Sequence, residues 1–540
     1  MEYTDSTKGM TLEEQIGQIL MVGFSGSTPP QEIIELIERH RVGNIILFSR
    51  NVHEAEQVYA LTHQLQEHAR KAGQRYPLLI AIDQENGIVQ RMGEAATLFP
   101  GNMALGAIAS EEIAQEVARA VGEELQSVGI TMNLAPVVDV NNNPANPVIG
   151  VRSFGEDAQQ VGRLGAAMVR GYKEAGIVPC LKHFPGHGDT AVDSHLALPT
   201  LPYALERLEQ LELVPFQKGI EAGADCIMTA HIAFPALTGS KELPATLSPD
   251  IIKGLLREKL GFQGVIISDC LEMHAVLDSF GTGHGAVLAL QAGIDLVLVS
   301  HLFSRQLASI EAIRAAVHSG ELDPAIVQSA AERVLALKAR TLSWDKLPEI
   351  EALQESIGSP AHLQLQEQAY ELSTTLVRNE EGLLPIHLKP EEQLVALARP
   401  RNLLTMVEDR AFADDTLAVI LSKHSHQIRQ LAINAQTAQE AYTSVLSETS
   451  EQDILVVATV NAHVDQMQGE LVRLLTTSGR RVIGITVRNP YDLAAFPALR
   501  TYLATYEYTK PALEAAARVL FGEREAHGKL PVSIPGLPPE

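Results

Sequence analysis

The sequence predicts an α/β protein: a TIM-type (β/α)8 barrel over residues 1–340, a linker over 341–373 and a three-layer α/β sandwich over 374–540. Three observations carry that prediction. The chain has 540 residues, more than one ordinary domain uses. Its first part alternates eight short apolar runs with amphipathic helical stretches. From Thr374 the same β-then-α rhythm resumes.

The eight runs are Gln18–Phe24, Asn44–Phe48, Leu78–Asp83, Thr131–Pro136, Val178–His183, Asp225–His231, Gly264–Asp269 and Asp295–Ser300. Most are apolar throughout instead of alternating, as strands of a parallel sheet buried on both faces are. Helical patterns fill most gaps, at Gln31–His40, Glu54–Lys71, Glu111–Val128, Asp157–Ala175, Leu205–Ala222, Pro249–Leu260 and Arg305–Ser319. Ser248 before Pro249 and Gly320 after Ser319 are the expected start and stop residues. Eight β-α units favour a barrel, with a doubly wound sheet as the alternative from pattern alone. The linker predicts helix near Glu349–Ser356 and Pro360–Ser373. Beyond it, strands are expected at Leu394–Leu397, Leu417–Leu421, Ile454–Val460, Val482–Val487 and Tyr502–Tyr506. Helices are expected at Gln427–Leu446, Val464–Thr477 and Pro511–Leu520.

Composition narrows the function. Hydrophobic residues make up 46% and charged residues 20%, a globular balance. The net charge of −24 repels phosphate backbones and anionic lipid, which argues against nucleic-acid and membrane partners. The three cysteines, Cys180, Cys226 and Cys270, lie in or beside apolar runs and form no C-x-x-C pair, so buried reduced thiols are expected. The N-terminal stretch has no basic and apolar targeting pattern, and no apolar run reaches the roughly 20 residues that span a bilayer. A cytoplasmic location is the resulting expectation. Aromatic residues are only 5%, with one Trp, which argues for a small pocket over a long stacking cleft.

A (β/α)8 barrel keeps its chemistry at the C-terminal ends of its strands. The polar residues there are Asp83, Lys182, His183, His231 and Asp269. The loop from Lys182 to His195 is the densest polar segment, with one Lys, three His (His183, His187, His195) and two Asp (Asp189, Asp193). It reads three ways: a metal site, a loop whose polar groups satisfy one another, or a sugar-binding and proton-transfer loop. The third is favoured. Asp269 alone could cap the following helix. A carboxylate facing a titratable His is a stronger signal, because retaining glycoside hydrolysis needs a nucleophile and a separate proton donor.

These residues resemble a known family. Lys182-His183-Phe184-Pro185-Gly186-His187-Gly188-Asp189-Thr190, followed by Asp193-Ser194-His195, is similar to the signature of glycoside hydrolase family 3 β-N-acetylglucosaminidases of the NagZ type. Asp83-Gln84-Glu85-Asn86-Gly87 with Gln90-Arg91 resembles another element of that family. So do Asn133 to Asp139, Arg152-Ser153-Phe154-Gly155, Met228 to His231 and Ser268-Asp269, in the family order. Arg378-Asn379, Leu383-Leu384-Pro385 and Gly528-Lys529-Leu530-Pro531 resemble its second domain. Two departures stand out: Asn86 where Gly is common, and Cys270 after Asp269 where other small residues are usual. Asn tolerates a positive φ better than most residues, and Cys270 is expected to be a packing residue.

The resemblance implies a retaining, exo-acting β-N-acetylglucosaminidase. Asp269 would be the nucleophile, His195 the general acid/base and Asp193 its partner. Asp83, Arg91, Arg152, Lys182, His183 and His231 would surround the sugar. The implied partner is a small N-acetylglucosaminide, either a peptidoglycan fragment (muropeptide) or a chitooligosaccharide, with no cofactor and no metal. A phosphorylase using inorganic phosphate, a β-glucosidase-like enzyme, a sugar-binding protein without turnover and a metal-dependent enzyme are the competing readings. In the second domain only Asn461, His463 and Asp465 draw notice, as a short polar turn that reads first as a solvated turn, with domain contact as the alternative.

Overall fold

The computed structural model describes residues 7–398, 408, 409 and 416–537. Residues 1–6, part of the stretch read for a targeting pattern, lie outside them. The N-terminal sheet contains Leu20–Val22 (β1), Asn44–Leu47 (β2), Leu79–Ile82 (β3), Met132–Asn133 (β4), Val178–Phe184 (β5), Cys226–Thr229 (β6), Val265–Ile267 (β7) and Val297–Val299 (β8). The strands pair in parallel in the order β8-β1-β2-β3-β4-β5-β6-β7. Ile267 bridges Leu296, so β7 meets the chain entering β8 and the sheet closes into a barrel. Closure sets the doubly wound alternative aside.

The period-2 rule explains why the strands read as apolar throughout. Leu79 and Ala81 point into the lumen with Met132, Cys180, Cys226, Val265 and Ile267, while Ile80 and Ile82 face the surrounding helices. The expected helices are present, with one break. Leu205–Ala222 divides into Leu205–Gln210 and Leu213–Glu221. Pro215 sits in the first turn of the second piece, where its missing N–H costs no helical bond; inside one continuous helix it would remove one.

The C-terminal sheet contains Thr375–Asn379 (β9), Leu394–Ala398 (β10), Ile428–Ala432 (β11), Ile454–Thr459 (β12), Arg481–Thr486 (β13) and Thr501–Ala504 (β14). The order is β9-β14-β13-β12-β10-β11, with β9 antiparallel and the others parallel. Val395, Leu397, Leu455 and Val457 bury against helices Ala438–Glu448 and Gln466–Thr477. Leu394, Ala396, Ile454 and Val456 bury on the opposite face with helix Lys510–Leu520. That is a three-layer sandwich.

Two expectations fail in this part. Leu417–Leu421 is not a strand but part of helix Thr416–Ser422. A five-residue apolar run is ambiguous in period, and Leu417, Ile420 and Leu421 meet the core at helical spacing. Gln427–Leu446 is not one helix, because it opens with β11 and turns helical only at Ala438. The start is fixed by a capping box, Thr437 with Glu440, that the apolar periodicity does not reveal.

The sandwich rests on the mouth side of the barrel, against segments that follow β3 and β4. Met103, Ala104 and Val151 pack with Tyr491, Tyr506 and Val532. Lys529 N–H donates to Ala107 O at 3.0 Å, and Asn141 Nδ2 to the Tyr491 hydroxyl at 2.8 Å. His463 of the polar turn bonds Asp492 at 2.9 Å and reaches Pro144 O at 3.3 Å.

Candidate active site

The site grows from the ends of β3, β5 and β7. After β3 the chain makes a hairpin in which Gln84 pairs with Gln90 and Asn86 with Val89. That register turns Arg91 back toward the end of β3. Asn86 adopts φ +68° and Gly87 +63°, so Asn stands at a left-handed position that it tolerates. Gly87 packs directly on Gly101, where an added Cβ would lie 2.9 Å from the Gly87 Cα.

Four charges interlock under the mouth, three of them buried and Asp83 half-buried. Lys182 Nζ lies 2.5 Å from Asp83 Oδ1 and 2.6 Å from Glu85 Oε1. Arg152 grips the same Glu85 with two parallel bonds of 2.8 Å, Nε to Oε2 and Nη2 to Oε1. Burial would raise the Glu85 carboxyl, but Arg152 and then Lys182 outweigh it and hold it well below the usual range. Burial likewise opposes the Lys182 ammonium, and Asp83 and Glu85 overcome it, keeping the charge on. This charge-balanced cluster gathers N–H donors and carboxylate acceptors at the strand ends, the complement a polyol needs.

Asp139 orients the β5 loop from below. Its Oδ2 bonds His183 Nδ1 at 2.7 Å, and its Oδ1 accepts the backbone N–H groups of His183 (3.2 Å) and His187 (2.7 Å). His187 is buried between Thr190 Oγ1 at 2.8 Å and Ser194 Oγ at 2.9 Å. Burial, helped by neighbouring His183, drives its imidazole down to about 4, so it is neutral at physiological pH. Gly188 passes so close to Val140 O that a Cβ would sit 1.7 Å from it; the loop can only turn there with glycine.

The upper half of the loop carries Asp193 and His195. Asp193 Oδ1 accepts from the His195 backbone N–H at 2.9 Å and bonds ring Nδ1 at 2.7 Å. Among the described residues nothing hydrogen-bonds His195 Nε2. Burial raises the Asp193 carboxyl less than the His195 bonds lower it, so it stays ionised.

Asp269 follows β7 and is partly exposed. Its Oδ1 accepts the Cys270 N–H at 2.7 Å. Burial pushes this carboxyl up, and His231, His183, His195 and the Cys270 N–H together bring it below its ordinary value. The carboxylate therefore shares an electrostatic neighbourhood with His195. His231 is also adjacent, yet both its nitrogens are engaged, Nδ1 with Thr246 Oγ1 at 2.9 Å and Nε2 with Cys270 O at 3.0 Å. Burial lowers its pKa. It braces the end of β7 instead of offering a free nitrogen to the pocket.

The loop histidines do not converge as ligands. Each of the three is tied to its own oxygen partner, Asp139, Thr190 with Ser194, or Asp193. Among the described residues the group with metal-ligand spacing is Cys270, Glu272 and His301, which includes none of them.

A family model described as "Glycosyl hydrolase family 3 N terminal domain" matches residues 11–337. The chain belongs to glycosyl hydrolase family 3. It is similar over 97% of both chains to the protein named Beta-hexosaminidase A of Pseudoalteromonas piscicida, at 33% identity. Among solved structures it is similar to a family 3 β-N-acetylglucosaminidase from Paenibacillus sp. str. FPU-7, at 40% identity and TM-score 0.89, over 97% of this chain and 99% of that one. A fungal multi-domain family 3 β-N-acetylglucosaminidase gives 41% identity and TM-score 0.91 over 98% of this chain; the match spans 61% of that longer chain.

In this glycoside hydrolase the sequence signals brought together Asp83, Arg152, Lys182, His183, Asp193, His195, His231 and Asp269. Glu85 and Asp139 complete the network, and both stood in quoted motifs without a role of their own. Cys270 is buried with its Sγ 3.0 Å from Ser300 Oγ, in the packing role expected of it. Arg91 pairs with Asp409, at 2.9 Å. Asp409 is a residue that no sequence pattern marked.

Proposed function

We propose that this family 3 enzyme is an exo-acting, retaining β-N-acetylglucosaminidase that removes terminal β-linked N-acetylglucosamine from peptidoglycan fragments or chitooligosaccharides. The observation that carries the reading is the shared neighbourhood of ionised Asp269 and the Asp193–His195 pair. The names of its relatives, Beta-hexosaminidase A and β-N-acetylglucosaminidase, support the same sugar.

In the first step an Asp269 oxygen bonds to the anomeric carbon while the bond from that carbon to the glycosidic oxygen breaks. The imidazolium of His195 gives its Nε2 proton to the departing oxygen. In the second step the neutral imidazole takes a proton from water, whose oxygen attacks the anomeric carbon and releases Asp269. Asp193 holds Nδ1 as the protonated nitrogen throughout, which keeps Nε2 aimed at the substrate. Asp83, Arg91, Lys182, Arg152 and His183 bind the sugar hydroxyls and acetamido group, with Glu85 fixing Lys182 and Arg152.

A second reading keeps the first step and replaces water by inorganic phosphate. His195 is the observation that favours it, because an imidazole acid/base does not repel an incoming anion as a carboxylate would. Initial rates on 4-nitrophenyl β-N-acetylglucosaminide with and without phosphate, with products weighed by mass spectrometry, test both. Free N-acetylglucosamine in both conditions supports hydrolysis. Phosphate-dependent sugar 1-phosphate supports the transferase, and no turnover in either condition defeats both.

A further inference from the structure

Asp409 precedes the helix Thr416–Ser422 of the sandwich, yet it is bonded into the barrel mouth at three points. Its backbone N–H donates to Ile88 O at 3.2 Å. Its Oδ2 accepts the Gln90 N–H at 2.6 Å, and its Oδ1 accepts from Arg91 Nη1 at 2.9 Å. The two side chains of the pair are only 10% and 14% exposed. The preceding residue, Glu408, pairs with Arg488, which is buried near enough to Arg152 for the two cations to repel. Adjacent carboxylates thus hold one arginine on each side of the seam between barrel and sandwich.

The arrangement around Arg91 shows what Asp409 does for it. The guanidinium lies 5.9 Å from the centre of the Phe48 ring and close enough to the Arg50 guanidinium to be repelled by it. A long cationic side chain in that position gains from turning away into water. Asp409 opposes this with a carboxylate that is itself fixed to the hairpin backbone one residue before Arg91. The hairpin that leads into the arginine therefore also fixes its counter-ion.

We infer that Asp409 is a positioning residue for the sugar pocket: it presents Arg91 to the substrate, so the sandwich takes part in substrate binding. The inference rests on the proposal that Arg91 contacts the sugar. Its signature is kinetic. An interaction made equally in ground and transition states changes KM and leaves kcat alone.

Full-length Asp409→Ala, Asp409→Asn, Arg91→Ala and the double variant Arg91→Ala/Asp409→Ala test it on 4-nitrophenyl β-N-acetylglucosaminide, with melting temperatures recorded for each. Asp409→Ala is expected to raise KM about tenfold with kcat within about twofold. Asp409→Asn keeps an oxygen for the Gln90 N–H or Arg91 and is expected to recover part of that loss. The double variant is expected to be no worse than Arg91→Ala alone, because the aspartate acts through the arginine. A raised KM for Arg91→Ala beside an unchanged KM and a lowered melting temperature for Asp409→Ala would overturn the inference and leave Asp409 a domain latch. An unchanged KM for Arg91→Ala would instead remove Arg91 from the sugar site, a separate failure. If Asp409→Ala does not fold, the comparison of Asp409→Asn with Arg91→Ala decides.

Discussion

Asp193 and His195 are joined twice through one oxygen: Asp193 Oδ1 accepts both the His195 backbone N–H and its ring Nδ1–H. An ionised carboxylate can only accept, so the pairing puts the ring proton on Nδ1 and leaves Nε2 unengaged by Asp193. Asp193→Asn can keep its amide oxygen on both N–H groups but removes the negative charge that stabilises the imidazolium. A loss of about 10²–10³ in kcat/KM on a disaccharide substrate is expected, with an unchanged circular dichroism spectrum. His195→Ala should lose less in the first step on a 4-nitrophenyl glycoside than on a disaccharide, since a phenolate leaves with little protonation. Equal losses of that step on both substrates, read as single-turnover rates, would remove His195 from the acid role.

Glu85 is the counter-ion on which both Arg152 and Lys182 depend. Removing one member of a buried ion pair leaves the others uncompensated and costs about 3–5 kcal/mol. Glu85→Ala should therefore lower the unfolding free energy read from urea melts by a comparable amount and abolish sugar binding. Glu85→Gln should retain more stability, because its amide oxygen still accepts one of the Arg152 N–H groups. A Glu85→Ala protein as stable as wild type would show the cluster to be hydrated and loosely held.

Much of this was readable from the chain because the barrel uses one signal repeatedly: a buried apolar strand ending in a polar residue. Asp83, Lys182, His183, His231 and Asp269 all stand at such ends. The burial of His231 nitrogens against Thr246 and Cys270 O was not readable, since it depends on a contact between loops distant in sequence. Asp409 carried no signal for the same reason; an Asp among polar residues is distinguished only by the hairpin it meets. In the sandwich, apolar content located Leu417–Leu421 but not its period, and the Thr437–Glu440 box was masked by the longer run around it. Pattern thus located the pocket's strands and missed the partners that other loops supply.

Cys270 adjoins Asp269, the proposed nucleophile, which invites the idea of a reactive thiol. Burial pushes its thiol up to about 12, with the Glu272 carboxylate adding to the effect and Ser300 opposing it. The thiolate is the reactive form, and almost none exists at neutral pH. Iodoacetamide at pH 7.5 is expected to leave activity unchanged over an hour in the folded enzyme, with alkylation of Cys270 detected by mass only after denaturation. Rapid inactivation that substrate prevents would show the thiol to be open to the pocket.

Glu507 joins the sandwich to the barrel as a buried acid, with Oε1 accepting the Gly101 N–H at 3.0 Å and Oε2 the Tyr370 hydroxyl at 3.0 Å. Burial raises its carboxyl to about 7, more than the bonds from Gly101, Tyr370 and Thr509 lower it. The folded protein therefore holds this proton more tightly than the unfolded chain, where an ordinary glutamate titrates near 4.3. The stabilisation from that proton is fully present below the unfolded value and is lost as pH rises through about 7. Thermal melts from pH 5 to 8.5 should show a loss of stability across this window that Glu507→Gln, which cannot ionise, removes. The difference between the two proteins should be largest at the alkaline end, where wild type must bury a carboxylate. Parallel pH profiles for wild type and Glu507→Gln would mean that the acid is already ionised in the folded state and that its three donors outweigh burial.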